Sequence, residues 1–169
     1  SLTIMNYYLT HHLSPIVTLP IEIIRRLSKQ ASVLDVGCGN GALKKVLPSH
    51  RLYGVDVLAD SVNMAKKSGY IQAKRIDLNR QKLPFRKHMF DAVICRQVLE
   101  HLLFPLTTTK EIYRVLKPKG FLFVSVPTRI NSKFDDDYTH VRPFTAHSLE
   151  TMLYDAGFIK VVPIYNLIG

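Results

Sequence analysis

The stretch VLDVGCGNGAL, residues 33–43, decides the fold. A short apolar run feeds a glycine-rich turn, and a helical pattern leaves it. Leu43, Val46 and Leu47 recur at i, i+3 and i+4 until Pro48 stops the pattern. Strand, tight turn and helix in that order open a parallel sheet covered by helices. Gly37, Gly39 and Ala42 also fit the dinucleotide spacing G-x-G-x-x-A. Asp56 ends the next strand pattern, where an acid can accept hydrogen bonds from ribose hydroxyls. On these features alone a nicotinamide dinucleotide is viable.

Asp35 weighs against it. It stands two residues before Gly37, at the carboxyl end of the first strand, where it borders the ligand crevice. A like charge beside a pyrophosphate costs several kcal/mol at ~4 Å and an effective dielectric of about 20. A ligand carrying an ammonium gains from the same carboxylate. S-adenosylmethionine has that ammonium, a sulfonium beside it and no phosphate. The glycines would admit its methionine part, and the positive end of the following helix would face its carboxylate. The alternative is that Asp35 merely caps the helix or shapes the turn.

Outward from this motif, short apolar runs alternate with helical patterns. The chain reads as an α/β, doubly wound, mostly parallel sheet. Strands are expected at 32–36, 52–56, 71–77, 90–95, 121–126 and 159–165. A leading helix follows Pro20, and Asp60 suits the N-cap of a helix ending at Ser68-Gly69. Another helix ends at 114–117 before Pro118 and Gly120, and Thr145 caps a last one closed by Gly157. The loop 127–144 has the length of a lid or binding loop.

At 169 residues the chain is expected to be one domain, with 1–31 as a helical lead-in and 32–169 as the core. No apolar run approaches the ~20 residues of a membrane span. Histidines and two prolines spoil the apolar N-terminal segment as a signal-peptide core. Two cysteines, Cys38 and Cys95, lack disulfide or metal spacing, which suits a reducing, cytoplasmic setting. A net charge of +10 favours anionic company such as nucleic acid, acidic lipid or a phosphorylated substrate.

The ordered motifs then carry a resemblance. They are VLDVGCGNG, YGVDV at 53–57, IDL at 76–78, LPF at 83–85, FDAVIC at 90–95, VLEHL at 98–102, EIYRVLKPKG at 111–120 and HVRPFT at 140–145. Together they resemble the class I S-adenosylmethionine-dependent methyltransferases, and among them the type 11 group that includes quinone-biosynthesis enzymes. The resemblance implies a Rossmann-like sheet ordered 3-2-1-4-5 plus one or more C-terminal strands. In that family a seventh, antiparallel strand normally sits beside the sixth. Only twelve residues follow Gly157, so the chain is expected to be truncated before that strand, or the strand to be absent or supplied by a partner chain in a homodimer.

The resemblance also implies S-adenosyl-L-methionine as cofactor. Asp35, Gly37, Cys38 and Gly39 would line its methionine half, Asp56 would hold the ribose hydroxyls, and Val57 would lie against the adenine. Asp77 would accept from the adenine amino group beside Leu78, and the backbone near Cys95 and Arg96 would close the crevice. Two carboxylates at strand ends suit a diol and an exocyclic amine, both hydrogen-bond donors.

For chemistry, Glu100 and His101 fall just past the fourth strand, where the methyl group should point. His101 can take a proton from the acceptor or position it, with Glu100 and His140 as further catalytic candidates. Related quinone-pathway enzymes resemble this stretch but place a glutamate three residues before the Glu-His pair, suited to a divalent cation. Gln97 stands there in this chain, so no metal is expected.

The run Asp135-Asp136-Asp137 reads as a solvated loop, while Tyr138, His140 and Arg142 are candidate acceptor contacts. Lys74, Arg75, Arg80, Lys82, Arg86 and Lys87 form either a solvated face or a phosphate-binding patch for RNA. Only Phe85 interleaves with them, and no Asn/Asp-Pro-Pro-aromatic tetrapeptide follows the fourth strand. A small-molecule acceptor methylated at oxygen or carbon is the leading expectation. A transfer RNA acceptor, or cofactor binding without turnover, is the alternative.

Overall fold

The computed structural model describes residues 4–10, 21–127 and 134–165. The glycine motif is flanked as its pattern requires, by strand β2 (Ser32–Val36) and the four-residue helix α2 (Leu43–Val46). Strand β1 (Ile4–Thr10) and helix α1 (Ile21–Arg26) precede them. Strand β3 (Arg51–Asp56), helix α3 (Ala59–Lys67), β4 (Gln72–Arg75) and β5 (Phe90–Arg96) follow. Helix α4 (Pro105–Val115), β6 (Leu116–Pro127), α5 (Ala146–Asp155) and β7 (Lys160–Tyr165) complete the fold.

One seven-stranded sheet runs β4-β3-β2-β5-β6-β1-β7, and every pairing is parallel. Counted from the strand that enters the glycine turn, its first five members follow the expected 3-2-1-4-5 order. The central strands alternate between two cores. Leu34, Val36, Val93 and Cys95 face α4 and α5, whereas Val33, Ala92 and Ile94 join the core on the other face with Ile23, Leu43 and Val62.

Asp91 interrupts this apolar run at the strand's start, where its carboxylate accepts from the Ser32 amide (2.8 Å) and the Lys117 ammonium (2.8 Å). Phe90 lies opposite Leu116 and Ala92 opposite Phe121, so Lys117–Gly120 bulge out of register. Pro118 and Gly120 thus interrupt β6 within its length, and the helix before it stops at Val115.

Two expectations are corrected. Residues 1–31 are not purely a helical lead-in, because β1 lies between β6 and β7 with Asn6 opposite Phe123 and Ile4 opposite Lys160. It fills, in parallel sense and from within the chain, the place assigned to a late antiparallel strand. Ile, Tyr and Thr in IMNYYLT suit a strand, and pairing there covers what would otherwise be an open edge of β6. Asp60 is also not the cap of α3. Leu58 holds that position without a side-chain bond, and Asp60 sits in the first turn, where its charge suits the helix's positive end. Thr145 does cap α5, in a capping box with Ser148. Residues 11–20, including Pro20, and 128–133 of the long loop lie outside the described residues.

The glycine turn packs against β3 at Gly54. A Cβ added there would lie 2.8 Å from Cys38 Sγ and 3.1 Å from the Tyr70 ring. Gly54→Ala is expected to lower the stability by about 1–3 kcal/mol, read as a fall in the urea midpoint. An unchanged midpoint would show that strand and turn are not in close contact.

Candidate functional site

A cavity of about 530 Å³ opens at the carboxyl ends of β2, β3, β4 and β5. The order reverses there: β3 and β4 lie to one side of β2, and β5 and β6 to the other. Ligands of open α/β sheets bind at such a switch point. Of the residues expected from sequence, Gly37, Asp56, Val57, Asp77, Leu78, Arg96 and His101 line the cavity. Thr139, which sequence reasoning passed over, lines it too.

The two strand-end acids are oriented by backbone amides. Asp56 accepts from Gly39 N and Leu58 N, each at 2.9 Å. Asp77 accepts from Asn79 N at 3.0 Å and lies 3.3 Å from the Arg80 guanidinium. Each carboxylate keeps lone pairs for further donors. Gly39 has a φ of +48°, and a Cβ there would meet nothing within 4 Å, so the turn presents open backbone. Gly41 is constrained differently: a Cβ would lie 2.8 Å from Ala65 Cα, so α3 depends on its absence. An open backbone cradle with two acids set for a diol and an amine fits the adenosine half of S-adenosylmethionine, with Asp56 and Asp77 as the groups that would hold it.

Of the residues expected around the methionine half, Gly37 lines the cavity, whereas Asp35, Cys38 and Gly39 do not. Asp35 is buried at 7% exposure and accepts from the Tyr70 hydroxyl at 2.5 Å. Burial pushes its carboxyl up to about 7, against the pull of the Tyr70 bond and of Arg96, so near neutral pH it is only partly ionised. The amides of Gly37 and Cys38 both donate to Val55 O, at 2.9 and 3.1 Å, and α2 is a single turn with little dipole to offer. Both thiols face the core. Burial pushes Cys38 up to about 12 and Cys95 well above the ordinary thiol value. Arg96 is the guanidinium of this cavity, and it lies near enough to Asp35 to offset part of the burial penalty on both.

At the other end of the cavity His101 lines the wall, while the catalytic candidates Glu100 and His140 lie beside it without lining it. Gln97, immediately after β5, has a φ of +51°, a left-handed conformation of the kind concentrated at functional sites. It is held by Ser125, through its amide to Ser125 O (2.9 Å) and its side chain to Ser125 Oγ (3.4 Å). The chain then makes a 3-10 turn, Leu99–His101, to which the long loop is tied: Val141 N and Arg142 N donate to Glu100 O.

This docking brings His140 to His101, ring centroids 4.7 Å apart, and stacks His140 on Phe134 at 4.8 Å. His140 Nδ1 donates to Phe134 O at 2.9 Å. The Glu100 carboxylate is fully buried with no hydrogen-bond partner among the described residues, and burial pushes it up to about 8. Ligand atoms of Glu100, His101 and His140 all lie within 4.8 Å of one another, a set able to hold a metal ion. Tyr138 (97% exposed) and Arg142 point to solvent and do not line the cavity. Several residues of the basic cluster are engaged locally: Arg75 on Val57 O, Arg80 on Asp77, and Lys74 over the Phe85 ring.

A family model described as a methyltransferase domain matches residues 7–162. The chain belongs to the class I S-adenosylmethionine-dependent methyltransferases. A family relative named "Probable S-adenosylmethionine-dependent methyltransferase" from Mycobacterium tuberculosis is 30% identical over 179 residues, covering 95% of this chain and 58% of that protein. This chain therefore spans little more than half the length of the first curated relatives it matches. A ubiquinone biosynthesis O-methyltransferase from Xanthomonas oryzae is 32% identical over 62% of this chain and 46% of its own.

Among solved structures, an Archaeoglobus fulgidus S-adenosylmethionine-dependent methyltransferase shares the fold (TM-score 0.69, 23% identity, 82% of this chain, 66% of that one). The [4+2]-cyclase SpnF superposes as well (TM-score 0.67, 29% identity, 81% and 56%), so fold alone does not fix the reaction. No helix among the described residues is long and apolar enough to cross a membrane.

The buried Glu100 makes a measurable prediction. Its folded pKa lies above its unfolded value, so its contribution to stability is fully present below pH 4.5 and is lost as pH rises through about 8. Glu100→Gln removes that titration. The variant should melt higher than the parent at pH 8, by several °C, with the gap closing toward pH 5. A gap independent of pH would mean that the carboxyl is not held neutral.

Proposed function

We propose that the chain methylates an oxygen or carbon of a small acceptor, with His101 taking the proton the acceptor loses. The observation that carries this reading is the presence of His101 in the same cavity as Asp56 and Asp77. When bound, S-adenosylmethionine supplies a methyl carbon already activated by positive sulfur, so the protein's work is alignment and proton removal. Asp56 and Asp77 bind the nucleoside through its hydroxyl and amino donors. Arg96 presents a cation for a carboxylate on either ligand. His101 accepts the proton of a phenol-like acceptor, as the O-methyltransferase names among the relatives suggest. Glu100, neutral at physiological pH, leaves the imidazole without a competing anion beneath it.

Titration calorimetry with S-adenosylmethionine and detection of S-adenosylhomocysteine over a set of phenolic acceptors test the reading. Asp56→Asn should weaken cofactor binding at least tenfold, about 1.4 kcal/mol or more. His101→Gln should slow methyl transfer about 100-fold or more while leaving cofactor affinity within a factor of about two. Tight NADH binding with indifference to the sulfonium nucleoside would overturn the cofactor assignment. Turnover abolished by EDTA and restored by magnesium would move His101 from base to metal ligand.

A further inference from the structure

The loop residue Thr139 is placed between two groups that constrain each other. Its hydroxyl lies 2.6 Å from Asp137 Oδ1 and 3.0 Å from His101 Nδ1. A hydroxyl has one proton to give. The carboxylate is the stronger acceptor and the nearer one, and it also takes the Thr139 amide at 2.9 Å. The two Thr139 bonds hold the Asp137 carboxyl below the ordinary carboxylate range, so it stays an anion and keeps the hydroxyl proton. The Thr139 oxygen must then act as acceptor toward His101. An imidazole nitrogen that donates carries its proton, so Nδ1 is protonated and Nε2 holds the lone pair.

We propose that Thr139, anchored by Asp137, is a positioning residue that fixes His101 as the Nδ1–H tautomer and leaves Nε2 as its proton-accepting nitrogen. The proposal deepens the base role of His101 and rests on it for its catalytic meaning, although the tautomer itself can be read without any substrate. The arrangement reaches an imidazole from a carboxylate through a hydroxyl, so the proton removed from an acceptor would enter Nε2 while Nδ1 keeps its own. The imidazolium formed would face the Asp137 charge through the Thr139 oxygen.

Neighbouring groups leave that nitrogen available. His140 spends its Nδ1 proton on Phe134 O, and its Nε2 lies 3.6 Å from Asp137 Oδ2, on the carboxylate oxygen that Thr139 does not use. Neither Glu100 oxygen is bonded to His101, and Nε2 of His101 makes no hydrogen bond among the described residues. Thr139 lines the cavity beside His101, so the contact lies at the edge of the site.

Two-bond proton–nitrogen spectra of the full chain, labelled at histidine and recorded at mildly alkaline pH, read the tautomer directly. The His101 signals are assigned by their loss in His101→Gln. The parent should show a protonated Nδ1 and an unprotonated Nε2. Thr139→Val should lose that preference, and Thr139→Ser, which restores the hydroxyl, should recover it. A parent with its proton on Nε2, or a Thr139→Val spectrum unchanged at His101, overturns the proposal. Failure of the base reading looks different: the tautomer pattern appears as expected, yet His101→Gln transfers methyl groups at the parental rate.

Discussion

One carbonyl organises the ligand end of this sheet. Val55 O accepts from the amides of both Gly37 and Cys38, and the next residue, Asp56, accepts from Gly39. The glycine turn is thereby fastened to β3 rather than left to wait for an anion. The acid that ends β3 is fixed by the Gly39 bond and by a second one from Leu58 N. A turn whose leading amides are already committed has little to offer a pyrophosphate, whereas a carboxylate with spare lone pairs has much to offer a diol. Preference for a nucleoside over a dinucleotide follows from that wiring more than from any single charge.

Asp35 stands in a different setting from the one its position suggested. In sequence it is an anion at the mouth of a crevice. In the fold it is a buried acid whose hydroxyl partner, Tyr70, comes from the segment after α3. Burial weakens the field expected of a standing anion, because desolvation favours the neutral form. S-adenosylmethionine as cofactor rests on the family match, with Asp56 and Asp77 as the candidate groups that would hold its nucleoside.

What could be read in advance was what depends on local pattern. The strand–turn–helix unit at 32–46, the two strand-end acids and the Thr145 cap follow from periodicity and turn chemistry, and the order of five strands follows from the family resemblance. What could not be read depends on long-range docking. The strand at 4–10 was hidden because a seven-residue apolar segment has no partner written in its own sequence. Gln97's left-handed backbone gave no signal, since glutamine is not the residue one expects there. Nor did DDDYTH announce a link to His101. Only once the loop is tied to Glu100 O does a threonine in a polar run come to stand against an imidazole.

The placement of β1 carries a consequence for assembly. Among the described strands β7 has β1 as its single neighbour, so the last strand joins the sheet through the first. The contacts that close this half of the sheet therefore join distant segments, with Ile4 opposite Lys160, and ring closure over such a distance is slow compared with the adjacent pairings around the glycine motif. The ligand-bearing half can order early, while the β6-β1-β7 margin waits for β1 and β7 to meet.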